Sequence, residues 1–307
     1  MLRVSLVIPK FARNISGTDW QTTELGHEMH AQDSRECRRL AEALLPVALA
    51  AGRVQMAHHK SGVTAEAKAD RSPVTIADHQ SEEIILEALA RVAPGVPVIA
   101  EESVTAGRIP PIDDTFFLVD PLDGTKGFIR GRDEFTINIG LIVRGRPLFG
   151  LVYAPALADF YVTLGPDEAV SARLEPQAEV ANMAACRPTR LRTSVPDPHA
   201  LRALTSQTHL TSATQRFLDS YNVVDRKAVS SSLKFGLIAK GEADLYPRVG
   251  PTSEWDTAAG HAVLAAAGGS VTTLDGGQLT YGNRDRQFIN PDFVAWARGP
   301  LPRTRTV

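Results

Sequence analysis

The chain holds only 2 cysteines, Cys37 and Cys186, among its 307 residues. Neither sits in a CxxC or His-rich grouping, so a disulfide framework and a structural zinc site are both poorly supported. Two unpaired, buried thiols are the expectation. An excess of one charge is also lacking: 33 Lys and Arg stand against 35 Asp and Glu, a formal net charge of −2. That balance argues against the basic surface that a nucleic-acid polymer requires. Long apolar runs are missing as well. The patch from Val4 to Pro9 lies between Arg3 and Lys10 and is too short for a signal-peptide core. Nothing later reads as a transmembrane segment. The expectation is a cytoplasmic protein, at most peripheral at the inner membrane.

What is present suits a globular chain, with 43% hydrophobic residues and length enough for one large domain or two modest ones. Residues 1–34 are polar and without periodicity, which predicts a disordered extension. From Ser34 the pattern sharpens: Leu40, Leu44 and Val47 share a helical face, with Pro46 as a candidate kink. Residues 70–73 read as a loop. A second helix follows, capped at Asp78, with Ile85, Leu89 and Val92 on its apolar face and Pro94-Gly95 at its end. VPVIAEES reads as a strand running into Glu101 and Glu102. EFTINIGLIVRGRPLFGLVYAPALADFYVTL reads as an antiparallel meander. Residues 165–200 look irregular. The last third alternates helical and extended stretches, and Gly268-Gly269 closes the helix of DTAAGHAVLAAAGG.

The stretch DTFFLVDPLDGTKGFIRG concentrates the chemistry. An apolar run, Phe116 to Val119, ends in Asp120, Pro121, Leu122, Asp123, Gly124 and Thr125. A phosphate-binding GxxxxGK[ST] loop does not fit, because position 119 is Val and Gly127 follows Lys126. A covalent aspartyl-phosphate site of the DxDGT kind needs both acids on one strand face. The spacing here is one residue longer, and Pro121 is expected to break the strand. The remaining reading is a magnesium site, in which few carboxylates from separate segments surround ions that keep their waters. Glu101, Glu102 and Asp256 are the acids available to join Asp120 and Asp123, with Asp256 opening a helix where an anion is favoured. Each acid alone is ordinary: a turn, a solvated surface, a helix cap. Their recurrence at strand and helix ends is not.

SPVTIAD, AEES, DPLDGTKGFIRG and EWDTAAGHAVLAAAGG, in that order, resemble the inositol monophosphatase superfamily of magnesium-dependent, lithium-sensitive phosphatases. The resemblance runs from about residue 35 to 295. EFTINIGLI, GLVYAP and SSLKFGLIAKGEADLYPRVGPTSEWDTAAGHAV point within it to the bacterial 3′(2′),5′-bisphosphate nucleotidases, enzymes of sulfur metabolism. It implies a layered αβαβα sandwich, α+β over 35–185 with an antiparallel sheet and α/β over 186–307, commonly as a homodimer. It implies two or three Mg2+ ions on Glu101, Asp120, the Leu122 carbonyl, Asp123 and Asp256. Asp78 and Thr125, with Glu101, would serve the attacking water. The substrate it implies is a small phosphorylated nucleotide, touched at Asp123, Gly124, Thr125, His209, Ser231, Lys234, Arg248 and Asp256. Lys234 and Arg248 would bind its 5′-phosphate. The relatives commonly carry Gly where this chain has Ser230. A simple inositol phosphatase and a non-catalytic phospho-ligand sensor are the other two readings, the second disfavoured by the intact acids.

Overall fold

The computed structural model describes residues 24–61, 66–67, 73–207 and 210–304. The first helix, α1, spans Glu24–Ser61 and so begins inside the stretch expected to be disordered. Its early polar residues are paired: His30 with Asp167, Arg38 with Glu168, and Arg39 with Glu36. Of these, His30 lies in the stretch expected to be disordered, and its partner comes from 137 residues away, out of reach of local periodicity. Pro46 lies inside the helix without ending it. The part from Glu28 to His59 is long and apolar enough to cross a membrane by length and composition, contrary to the expectation. In this structure Leu40, Leu44, Ala48 and Ala51 are fully buried in a core shared with a sheet.

A two-stranded ribbon, β1 (Glu66–Ala67) and β2 (Pro73–Val74), leads to α2 (Ile76–Val92). Then come β3 (Val98–Ala100), α3 (Glu101–Thr105), β4 (Thr115–Asp123) and α4 (Thr125–Ile129). The meander follows as β5 (Thr136–Val143), β6 (Arg146–Ala154), β7 (Asp159–Gly165) and β8 (Glu168–Arg173), with a short β9 (Thr189–Arg190). β3 to β9 form one seven-stranded sheet in chain order, antiparallel except for the parallel β3–β4 pair. Two strands therefore lie within 165–200, where the sequence looked irregular, and the sheet continues past residue 185.

The second half gives β10 (Leu201–Ser206), α5 (Ser212–Asp219), β11 (Val223–Val229), α6 (Leu233–Ala239) and β12 (Leu245–Arg248). It closes with α7 (Ala258–Ala266), β13 (Ser270–Thr273) and β14 (Phe293–Trp296). Its five strands run in the order β11-β10-β12-β14-β13. Helices α1 and α2 cover one face of the large sheet, α6 and α7 lie between the two sheets, and α5 covers the outer face of the smaller one. The layers are therefore αβαβα. On β4, Phe117 and Val119 point to the α1/α2 core and Phe116 and Leu118 to the α6/α7 core. Burial on both faces explains the unbroken apolar run.

Two glycines set how closely the layers approach. A Cβ at Gly150 would lie 2.1 Å from the Ala259 carbonyl oxygen, and one at Gly140 would lie 3.0 Å from the Ala259 nitrogen. Helix α7 thus rests directly on β5 and β6. That contact carries the residues just before α7 to the end of β4.

Candidate active site

Strand β4 does not stop at Pro121. It pairs through Asp120–Asn138 and Asp123–Thr136, with one extra residue on its own side. This is a β-bulge, which re-aims side chains without ending the strand. Both aspartates line the cleft between the two sheets. Asp120 Oδ1 accepts from the Leu122 N–H at 3.0 Å, and the Pro121 carbonyl accepts from Gln55 Nε2 at 2.7 Å. Gly124 then turns the chain at φ +100°, with the Glu134 carbonyl 3.1 Å from where a Cβ would stand. Only glycine suits that position.

Asp78 and Thr125 meet as expected. Thr125 Oγ1 lies 3.1 Å from Asp78 Oδ1 and 3.0 Å from the Leu122 carbonyl. Asp78 is not the cap of α2 but its third residue. The cap is Thr75, whose N–H and hydroxyl both reach Asp78 Oδ2, at 2.8 and 2.6 Å. Thr125 lines the cleft with Asp78 buried behind it. Glu101 opens α3 at the cleft wall. The turn it starts is held by Glu82, which accepts from the Glu102 N–H at 2.8 Å and the Ser103 hydroxyl at 2.6 Å. Glu82 lies four residues after Asp78 and so shares its helix face, a signal open to sequence reading.

Asp256 does not begin α7. It ends a short 3-10 turn, Glu254–Asp256, and accepts from the Ser253 N–H at 3.0 Å. Ser232 joins it to β4: its hydroxyl lies 2.6 Å from the Asp256 carbonyl and 3.3 Å from Asp123 Oδ2. His261 of the same motif faces inward, 2.9 Å from the Tyr281 hydroxyl, and burial lowers its pKa to about 3. It is a neutral core residue.

Four acids, Glu101, Asp120, Asp123 and Asp256, therefore share one cleft wall. Burial raises Asp120 well above the usual carboxylate range, and Glu101, Asp123, Asp256 and Asp78 push the same way. Burial also raises Asp256 strongly, followed by Asp123 and Glu101. Asp123 is raised by burial, against the pull of Lys234. Burial raises Asp78 too, outweighing the hydrogen bonds from Thr75. Crowded, desolvated carboxylates of this kind call for countercharge. The donors are hard oxygens, which suit a magnesium-like cation. Among the described residues no three His, Cys, Asp or Glu side chains close on a single point, so the acids form an open basin and not a ready-made cage.

The cleft is also lined by residues expected to hold substrate, Ser231, Lys234 and Arg248. Ser231 has φ +54°, and its hydroxyl is buried without a partner. Arg248 donates from Nη2 to the Pro251 carbonyl at 2.6 Å, while its Nε is buried and unpaired. Lys234 is buried and donates to the Val229 and Ser231 carbonyls at 3.1 and 2.6 Å. Burial lowers its ammonium to about 8, with Asp123 opposing. His209 lies outside the described residues. Lys126, Arg130 and Arg132 also line the cleft, on its exposed rim. Sequence reasoning passed over them, although the TKGFIRGR stretch spells out the charge.

The pattern of the inositol monophosphatase family matches residues 36–295. The chain is 40% identical over 226 residues to the 3′(2′),5′-bisphosphate nucleotidase CysQ of Salmonella typhimurium, covering 74% of this chain and 86% of that protein. Among solved structures, CysQ from Bacteroides thetaiotaomicron superposes with a TM-score of 0.69 at 33% identity, over 84% of this chain and 97% of that one. The Thermotoga maritima IMPase superposes with a TM-score of 0.64 at 22% identity, over 82% and 89%, which supports the fold alone. With the match to most of its length and the αβαβα layers, this chain belongs to the inositol monophosphatase family.

Proposed function

We propose that this chain is a magnesium-dependent phosphatase that removes the 3′-phosphate of adenosine 3′,5′-bisphosphate, leaving AMP and phosphate. The observation that carries the reading is a cleft lined by two unlike sets of groups. One set is the acid basin. The other is the Arg248 Nε and the Ser231 hydroxyl, both buried and unpaired, with the Lys234 ammonium. Buried polar groups without partners in a cleft suit a ligand that supplies them. With cations held by the acids, a substrate with two anionic groups suits both sets. The name carried by the Salmonella relative supports the same choice.

Glu101, Asp120, the Leu122 carbonyl, Asp123 and Asp256 are the residues that would hold the cations. Bound there, divalent cations supply positive charge to phosphate oxygens and make a nearby water more acidic. The protein's own part is positional. The Thr125 hydroxyl has one proton, and giving it to Asp78 leaves its lone pairs free to accept from the attacking water. Asp78 is fixed for this by the two contacts from Thr75. Ser232 keeps the Asp256 turn beside Asp123, across the two sheets. Inhibition by lithium at fixed magnesium, and a place in sulfur metabolism, belong to the same reading.

Arg248 tests it. A charge-assisted contact contributes about 1.5–3 kcal/mol, roughly ten- to a hundredfold. Arg248→Ala is expected to raise KM for adenosine 3′,5′-bisphosphate by about that factor, with kcat held, because the contact is equal in ground and transition states. Adenosine 3′-phosphate lacks the second group and is expected to respond far less. Equal losses on both substrates contradict the assignment. Lys234 is a poorer probe, because its ammonium also holds two backbone carbonyls.

A further inference from the structure

Glu134 lies just before β5 and takes no part in the acid basin. Its Oε2 accepts two hydrogen bonds, from Gln207 Nε2 at 2.8 Å and from the Ser230 N–H at 2.9 Å. Gln207 follows β10, and Ser230 follows β11. These strands are parallel neighbours with Ser206 opposite Val229, so their ends emerge side by side. Glu134 belongs to the connection that enters the large sheet, whereas both donors belong to the small one. One carboxylate oxygen thus ties two strand ends of one half to the other half, at the cleft. Arg132 adds a second contact across the same gap, to Gln207 Oε1.

What hangs from this tie is the strained turn. Ser231 is a non-glycine residue in the left-handed region, a conformation that persists only where its surroundings over-determine it. Those surroundings can be named. The Ser230 N–H is held by Glu134. The Val229 and Ser231 carbonyls are held by Lys234. The Ser232 hydroxyl is held by the Asp256 carbonyl. The group left unpaired is the Ser231 hydroxyl, buried at the cleft wall. Of these holders, Lys234 acts from just after the turn. Two contacts come from the large sheet: Asp123 Oδ2 lies 3.3 Å from the Ser232 hydroxyl, and Glu134 holds the Ser230 N–H. Glu134 is the one of these two that stands outside the acid basin and also holds Gln207, so it ties the start of the turn and the end of β10 to the large sheet.

We propose that Glu134 is a positioning residue for substrate: through the Ser230 amide and Gln207 it sets where the Ser231 wall stands relative to the acids, and hence the spacing at which two anionic groups are accepted. This rests on the proposed reading of the cleft as holding a substrate with two anionic groups. The Glu134 charge also favours the protonated Lys234 ammonium, in the same direction as Asp123. Because a single oxygen accepts both bonds, the amide of a glutamine can take its place.

The experiment compares wild type, Glu134→Ala and Glu134→Gln, each loaded with magnesium. Two readouts are taken: steady-state kinetics on adenosine 3′,5′-bisphosphate and on adenosine 3′-phosphate, and amide hydrogen exchange. Glu134→Ala is expected to raise KM for the bisphosphate about tenfold with kcat within about twofold. The 3′-monophosphate should change little. Exchange should quicken at 229–232 and near 207 and stay unchanged at 118–125. Glu134→Gln should restore most of both. Unchanged exchange at 229–232 overturns the proposal, as does an equal loss on both substrates that glutamine does not rescue. If wild type itself does not favour the bisphosphate, the nucleotidase reading fails, and the exchange result and the glutamine rescue alone decide the role of Glu134.

Discussion

Asp120 and Asp244 are almost equally buried, at 1% and 2% exposure, yet their surroundings are opposite. Asp244 is met by partners. Arg202 reaches it through Nε at 3.1 Å, Nη2 at 2.8 Å and the backbone N–H at 2.9 Å, and the Ser194 hydroxyl adds a bond at 2.7 Å. Burial alone would raise its pKa, but the Arg202 and Ser194 bonds outweigh it and hold the carboxyl below the usual range. Asp120 has one backbone donor and is ringed by acids that push its pKa up. The small sheet uses a buried carboxylate to hold itself together. The cleft keeps carboxylates together against their mutual repulsion, an arrangement that the proposed cations would relieve. The difference separates a structural acid from a functional one by partners and not by burial.

The largest effect tests the functional acid. Asp120→Asn keeps the acceptor for the Leu122 N–H but removes a charge from the basin. Phosphate release is expected to fall by at least about a thousandfold, on the scale of losing a principal catalytic group, while circular dichroism stays native. Near-normal turnover would sink the assignment of the acids. Next in size is the response to metal. Magnesium at a hundredfold its Kd is expected to stabilise wild type by about 2.7 kcal/mol, a Tm rise of roughly 5–10 °C. A scan with and without chelator reads this, and Asp120→Asn should lose most of the rise. An equal rise in both proteins would mean the ions bind elsewhere.

The structural acid gives a smaller and opposite signature. Asp244→Asn leaves the Arg202 guanidinium without its countercharge. The Arg202 side chain is 37% exposed, so solvent screens the pair and the expected loss is about 1–2 kcal/mol, less than for a fully buried pair. Chemical denaturation should show that loss, with kcat within about twofold at 25 °C. A fall in kcat without a fall in stability would break the division between the two regions.

The smallest effect is a slope in pH. A carboxyl raised on folding lends stability that is complete below its unfolded value of about 3.9 and is lost as pH rises through the folded value. Asp120 and Asp256 are of this kind. Asp244 is the reverse, its stability being complete above about 3.9 and lost as pH falls through the depressed folded value. In chelator, wild type is therefore expected to lose stability relative to Asp120→Asn as pH rises from about 4 through the raised folded values. Parallel Tm curves for the two proteins would contradict the crowding described for the basin.

The same contrast explains what the sequence could tell. Asp120, Asp123 and Asp256 were legible as candidates because acids, each ordinary alone, recur at element ends, and Asp78 and Thr125 because their motif carries them. Their geometry was less legible. The bulge at Pro121 depends on pairing with β5, which no local pattern records. Glu134, Ser232 and Gln207 act across the two sheets, at sequence separations of 73 to 109 residues, so only the packed layers reveal them. That Lys234 is buried, with its ammonium on two backbone carbonyls, depends on the packing of α6 between the sheets. The turns of α1 before Ser34 are polar and carry little apolar pattern, and the contact of His30 there is to Asp167, 137 residues away in the turn before β8. The glycines at 140 and 150 look like strand breakers in isolation, and the approach of α7 gives them their reason.

The most direct measurement is a substrate panel on the purified chain: adenosine 3′,5′-bisphosphate, adenosine 3′-phosphate and inositol 1-phosphate, each with magnesium and with chelator. The account predicts phosphate release that requires magnesium and a kcat/KM highest for the bisphosphate, at least about tenfold above either monophosphate from one charge-assisted contact. Equal or greater kcat/KM on inositol 1-phosphate, or release undiminished in chelator, would contradict it.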